Sequence, residues 1–477
     1  MKYCFSILFT LLGSCLFAQP CSCLDDYYFI KNHIEKNHGG FNRKIKSPDE
    51  PAYKAFTKNL EEEIKKNKNS AYCIAYLKKY ILYLQDHHSN ITGGTGATVN
   101  EDSASAIAAF LNSPAYLNTE IIKIDSAKIA EKLSTQQATD IEGIYQTADK
   151  TYIVALLKNK TKSRDYAAII LSSKTTLWTK GQVKFELKQL NDSLFEVFTS
   201  LRNHSMNYEQ LPLNNGQLQL NGWFKLNTVI TNNKVMIDNE LIKFTILDST
   251  TTLLSIRSFD AGLYKKLDSA YREIIPVIKK YPHLIIDVRN NGGGSDQSYT
   301  ALMPLIYSDP FESDVVEYFS TPANIKAYQD YDDRLRQTAS ARQNVFKPYI
   351  EKMKAVSPYS FVFMGNGQPV KVAYKKNDGY PKKIAVLYNR YCASSCESLL
   401  FEVMNSKKAI MVGENSGGYT GYGNVMNIQT PCGNTLSWTT SVYREQWKYE
   451  FVGIPPQYKV PDDETNWVDY TKRLLNK

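Results

Sequence analysis

Ser394 stands in the run Tyr391-Cys392-Ala393-Ser394-Ser395-Cys396-Glu397, directly after the apolar stretch Ile384-Ala385-Val386-Leu387-Tyr388. That stretch reads as a buried strand, and the residues from Glu397 to Met404 read as a helix, so Ser394 falls at a strand-to-helix junction. The first N–H groups of a helix lack intrahelical partners and carry partial positive charge, which suits a developing oxyanion. A hydroxyl at that point could serve as a nucleophile. The spacing Ser394-x-x-Glu397 also fits a helix capping box, a purely structural use that the local evidence alone favours.

Serine attacks slowly until a base takes its proton, and histidine is the side chain that titrates near neutral pH. The chain has six histidines: His33, His38, His87, His88, His204 and His283. His87 and His88 lie in Leu84-Gln85-Asp86-His87-His88-Ser89, at the end of a helical segment. A third run, Asn290-Asn291-Gly292-Gly293-Gly294, follows the buried-strand pattern Leu284-Ile285-Ile286-Asp287-Val288. Glycines permit backbone approaches that a Cβ would block, and the N–H groups of such a turn can face an anion. No Gly-Lys-Ser/Thr follows, which argues against a phosphate loop. Taken alone, the run is a tight turn.

The elements that must bring these residues together are legible as a sequence of patterns. At 477 residues the chain exceeds one ordinary core. Residues 1–19 carry one lysine, an apolar run from Cys4 to Phe17 and a small residue, Ala18, which together predict a secretory signal and an exported (periplasmic or secreted) protein. Lipid attachment at Cys15 is the alternative, disfavoured because Leu16-Phe17-Ala18 prolongs the apolar run. Residues 20–95 show helical periodicity and contain His88; residues 96–138 read as a helical connector. Short alternating runs over residues 139–226 predict a small β-sandwich or barrel with no chemistry of its own, a spacer or docking module. Residues 227–477 read as α/β, with a charged, aromatic helical insertion over about 311–352 that could lid a cleft.

Charge and cysteines narrow the field. The net charge of +9 is spread among interleaved acidic and basic residues, so nucleic acid is an unexpected partner. No later segment is long and apolar enough for a transmembrane helix. Beyond the signal remain Cys21, Cys23, Cys73, Cys392, Cys396 and Cys432, too many for sequence to choose the pairing. A bridge from Cys392 or Cys396 to Cys432 would brace Ser394; small buried thiols are the alternative. No Cys/His spacing resembles a zinc site, and neither metal nor cofactor is expected.

Taken in order, these motifs resemble peptidase family S41, which includes C-terminal processing proteases and the tricorn core. Ile285 to Gly294 is similar to its strand and glycine turn, and Ala393-Ser394-Ser395-Cys396-Glu397 to its Ala-Ser-x-x-Glu motif. Val412-Gly413-Glu414-Asn415-Ser416-Gly417-Gly418 resembles the next strand and turn. Val452-Gly453-Ile454-Pro455-Pro456 resembles the late Gly-Ile-x-Pro-Asp motif, with Gln457 departing from it. The resemblance leaves the central β region out. It implies a crotonase-like ββα core and a serine peptidase acting on peptides or unfolded proteins. The processing branch uses a Ser–Lys dyad, but Tyr419 stands where its lysine would. The tricorn-like branch takes its base from a Leu-x-Asp-x-His pattern, which selects His88 over His87, and Glu450 resembles its supporting carboxylate. The resemblance thus implies Ser394, His88 and Glu450 as catalytic residues and N–H groups of Ser395 and of Gly292 or Gly293 as the oxyanion hole. The missing lysine keeps open an inactive binding protein on the same scaffold, and the same residues could hydrolyse a non-peptide ester or amide. No carboxylate-binding Gly-Leu-Gly-Phe loop of the PDZ kind is present.

Overall fold

The computed structural model describes residues 21–477 apart from 68–69, 94–97, 126–128, 130, 132, 134–139, 193, 215–216, 219, 221, 227–239, 338–343, 345 and 462. The expected signal segment, including Cys15, lies outside the described residues. So do the expected first residue of the β region, Thr139, and the start of the α/β region near Val229.

The chain forms a mixed α/β fold. Helices Cys23–Asn37, Pro51–Lys66 and Cys73–Leu82 place Tyr27, Ile30, Ile34, Tyr53, Leu60, Leu77 and Tyr80 in one core, because these residues recur at three- and four-residue spacings. The first helix starts at a capping box in which Ser22 and Asp25 bond reciprocally. Strand Asn90–Thr92 follows and pairs antiparallel with Thr435–Tyr443. His87 and His88 therefore lie on the short loop between a helix packed in this core and a strand pinned to the C-terminal half.

Strand Thr435–Tyr443 belongs to a five-stranded sheet with Tyr422–Gln429, Val316–Ser320 and Ser360–Phe363. The region expected as a helical insertion, 311–352, thus contributes a strand as well as helices Pro322–Gln337 and Lys347–Lys354. Its Tyr318, Tyr328, Ile350 and Met353 join the core of the N-terminal helices, so it is a wall of that core, not a lid.

A six-stranded sheet carries Ser394. Its order is Ile242–Ile246, Thr251–Ile256, His283–Asp287, Lys383–Tyr388, Ala409–Gly413 and Tyr458–Lys459, parallel throughout except for the first pair. Buried on both faces, its inner strands are continuous apolar runs, as parallel strands are. One face packs on helices Tyr264–Ile278 and Ser395–Met404, the other on Trp467–Leu475.

Between these parts, eight strands from Gly143 to Lys225 form one antiparallel sheet. Of the sandwich and the barrel expected there, the single sheet departs from the sandwich: the strands run as a meander, and Trp223–Lys225 returns to pair with Gly143–Thr147. Phe110 and Tyr116, from short preceding helices, pack against its apolar core where a second sheet would have stood. Strand Met206–Asn214 escaped the sequence because Glu209-Gln210 and Pro212 break its apolar alternation.

Candidate active site

The turn at Ser394 is built by local chain geometry. Strand Lys383–Tyr388 ends in a loop whose Asn389 accepts the Asn290 N–H at 2.9 Å and donates to Asn290 Oδ1 at 2.8 Å. Ala393 N–H donates to the Asn291 carbonyl at 3.1 Å, so the two motif loops are stitched together. Ser394 has φ 55° and ψ −121°, a conformation that side chains avoid. Strain of that kind at a sharp strand-to-helix turn lifts a nucleophile out of the fold. The Cys392–Cys396 disulfide spans this turn. The braces expected from Cys432 are corrected: Cys432 bonds Cys21, and Cys23 bonds Cys73.

Gly293 shows why the run after Asp287 must be glycine. A Cβ there would meet the Ala393 carbonyl at 2.4 Å, Ser395 N at 2.8 Å and Ser394 Cβ at 3.0 Å, and its φ is +87°. Its N–H donates to Asn291 Oδ1 at 2.9 Å. Of the three expected oxyanion donors, Gly293 is therefore already engaged. The N–H groups of Gly292 and Ser395 bond to none of the described residues. Upstream, Asp287 is held between the buried guanidiniums of Arg257 and Arg289, each at 2.8 Å, which fixes the base of the turn.

Across the cleft, His88 Nε2 lies 3.1 Å from Ser394 Oγ, although the residues are 306 positions apart. His87 points elsewhere: its ring stacks on Phe451 at 4.0 Å, and its Nδ1 lies 3.3 Å from the Gly418 carbonyl. The His88 backbone is fixed by Asp86, whose Oδ1 accepts the His88 N–H at 2.8 Å. Asp86 Oδ2 accepts from Ser89 Oγ at 2.6 Å and Thr439 Oγ1 at 2.7 Å. It also lies 2.8 Å from His38 Nε2. Because Gly40 N–H donates to His38 Nδ1, neutral His38 carries its proton on Nε2 and donates to Asp86. Burial alone would raise Asp86, but the hydrogen bonds from His38 and Ser89 outweigh it and hold the carboxylate ionised. Burial lowers His88, with the Asp86 charge acting against it. Its Nδ1 is buried without a hydrogen-bond partner among the described residues.

Two buried carboxylates connect the halves. Glu397 accepts the N–H of Ser394 at 2.9 Å, of Gly418 at 2.8 Å and of Tyr419 at 2.8 Å, and also the Ser416 hydroxyl. Glu450 accepts the next two N–H groups, of Thr420 at 2.7 Å and Gly421 at 2.6 Å, and that of His87 at 3.3 Å. Four successive N–H groups of one loop are thus shared between a carboxylate that reaches the serine and one that reaches the histidine loop. Burial raises both carboxyls, and the Asp86 charge adds to the rise at Glu450. Glu450 bonds to neither the Ser394 nor the His88 side chain. The sequence marked Glu397 as a helix cap and as part of the Ala-Ser-x-x-Glu motif, without its bonds to the Gly418–Tyr419 loop, and gave no role to His38 or Thr439, which nothing local marked.

The arrangement can activate a hydroxyl beside unpaired N–H donors. Residues 250–460 match the family described as peptidase family S41. No curated protein matches the sequence closely enough to serve as a relative. Among solved structures, mature CPAF is similar over 95% of this chain and 96% of its own, at 12% identity and TM-score 0.51. That span takes in the central eight-stranded sheet, which the sequence resemblance left out, and at this identity it speaks for the fold alone. The photosystem II D1 C-terminal processing protease covers 95% of this chain and 97% of its own at 12% identity, with TM-score 0.36. The tricorn protease covers 88% of this chain and 34% of its own at 11% identity, with TM-score 0.32. Those two looser likenesses carry no further argument. The likeness to peptidase family S41 is thus carried by residues 250–460.

Proposed function

We propose that the protein is an exported serine peptidase in which Ser394 is the nucleophile and His88 the general base. The observation that carries this reading is the 3.1 Å approach of His88 Nε2 to Ser394 Oγ. Ser394 Oγ attacks the peptide carbonyl as its proton passes to His88 Nε2, and His88 then returns that proton to the departing amine. The N–H groups of Ser395 and Gly292 receive the oxyanion; losing one such donor typically costs about 3 kcal/mol of transition-state stabilisation. Water then attacks the acyl-enzyme with His88 again as base. The parallel strands with their following helices support reading the core as crotonase-like. The three disulfides support an oxidising compartment outside the cytoplasm. No described helix is long and apolar enough to cross a membrane.

A fluorophosphonate probe and an unfolded protein substrate test the proposal together. Wild type should label at Ser394 and hydrolyse the substrate. Ser394→Ala should label no longer, and both it and His88→Ala should lose activity by about 10⁴-fold or more with unchanged thermal unfolding. Full activity in Ser394→Ala would discard the assignment. One feature favours a second reading, a binding protein without turnover: His88 Nδ1 has no carboxylate to hold its proton among the described residues. Such a protein would stay unlabelled.

A further inference from the structure

His88 is an unusual base in that the ring nitrogen away from Ser394 is buried and makes no hydrogen bond to any described residue. In a triad that nitrogen is held by a carboxylate, which fixes both tautomer and ring angle. Asp86 does not do this; it grips the His88 backbone N–H. Glu450 does not do it either, since its oxygens are taken up by the N–H groups of His87, Thr420 and Gly421. An imidazole with one contact at Nε2 and none at Nδ1 is free to rotate about its ring axis unless packing stops it.

The packing comes from Tyr419. Its ring meets the His88 ring edge-to-face, with centroids 5.4 Å apart and planes at 89°, and it also lies against His87 at 4.5 Å. Edge-to-face pairs in this range are favourable and directional. Tyr419 is itself immobilised: its N–H donates to Glu397 at 2.8 Å, and the N–H groups on either side are held by Glu397 and Glu450. We propose that Tyr419 is the positioning residue for the base, holding the His88 imidazole in line with Ser394 by ring contact where a triad would use a hydrogen-bonded carboxylate. The two carboxylates then act on the base mechanically: they set the loop, the loop sets the Tyr419 ring, and the ring sets His88. This inference rests on the reading of Ser394 and His88 as the reacting pair.

The test compares Tyr419→Phe, which keeps the ring, with Tyr419→Leu and Tyr419→Gln, which remove it. Variants that retain the wild-type melting temperature are assayed for peptide hydrolysis and for the rate of fluorophosphonate labelling at Ser394. Tyr419→Phe should stay within about threefold of wild type. The ring-less variants should lose about 10–100-fold in kcat and in labelling rate, with KM nearly unchanged, the scale expected for a misplaced reacting group. Unchanged kcat in a folded ring-less variant overturns the proposal. So does an equal loss in Tyr419→Phe, which would place the hydroxyl in the chemistry, or an effect on KM alone, which would make Tyr419 a substrate contact. Wild type that fails to label would instead overturn the peptidase reading itself.

Discussion

The two halves of the site are held by different kinds of structure. The nucleophile turn hangs from a central parallel strand, with Ile384 to Tyr388 fully buried, and its neighbours in sequence do most of the positioning: Asn389, Ala393, the Cys392–Cys396 disulfide and Glu397. The base sits on a loop with no regular structure between Leu82 and Asn90, and its supports come from far along the chain: His38, Thr439, Tyr419 and Glu450. One half stores strain in its backbone at Ser394 itself; the other, whose positive φ falls at Gln85, depends on hydrogen bonds from several distant segments. The difference teaches that the serine is aimed within one parallel sheet and its loops, whereas the histidine is aimed only once the N-terminal helices dock on the C-terminal strands.

Variants can break that contrast. The largest effect is expected on the serine side at Gly293. Gly293→Ala puts a methyl against the Ala393 carbonyl and Ser395 N and also needs a positive φ. The backbone alone costs about 1–3 kcal/mol, and activity should fall about 10²-fold from displacement of Ser394. Gly292→Ala meets nothing within 4 Å and should stay near wild type in melting temperature. Equal effects of the two substitutions on stability would show that the turn is not packed as described.

On the histidine side, Asp86→Asn replaces an acceptor that serves Ser89, Thr439, His38 and the His88 N–H. One amide oxygen cannot serve four donors, so a stability loss of about 1–3 kcal/mol is expected. kcat should fall, and the rescue of activity by high substrate should be absent. Denaturant titration and steady-state kinetics read both quantities. A variant that lost activity through KM alone would contradict the positioning role.

The smallest effect is on pH dependence. Burial lowers His88 from its ordinary value near 6.5, so the acid limb of kcat/KM should fall below pH 6.5. Stability should follow the same sign. Burial holds His33, His87 and His204 at about 4, so between there and 6.5 these three groups bind more protons in the unfolded chain than in the folded one. The stability they contribute is fully present above about pH 6.5 and is lost as pH falls towards 4, while Glu450, raised by burial to about 8, acts with the opposite sign. Thermal unfolding of His204→Gln should lose less on acidification across that window than wild type, and equal losses would contradict it.

How much could be read from sequence follows the same division. The strand Ile384–Tyr388, the helix behind Ser394 and the glycine turn declare themselves because each is set by nearby residues: an apolar run, a capping spacing, three successive glycines. His88 could not be chosen over His87 on local grounds, since both end the same helical segment; only the resemblance to a family pattern separated them. His38 and Thr439 left no trace, because a histidine beside two glycines and a threonine in a strand have no reason to meet until the five-stranded sheet forms. The central sheet was legible in kind, not in closure. Alternation reveals strands, but it does not say whether their apolar face meets a second sheet or the side chains of short helices.

The Cys21–Cys432 bond makes most of this polypeptide a covalent ring, with 411 positions between its joined ends. A peptidase that nicks its own backbone once inside that ring does not fall into two pieces. It would migrate as one species on a non-reducing gel and separate into fragments only after a reductant is added.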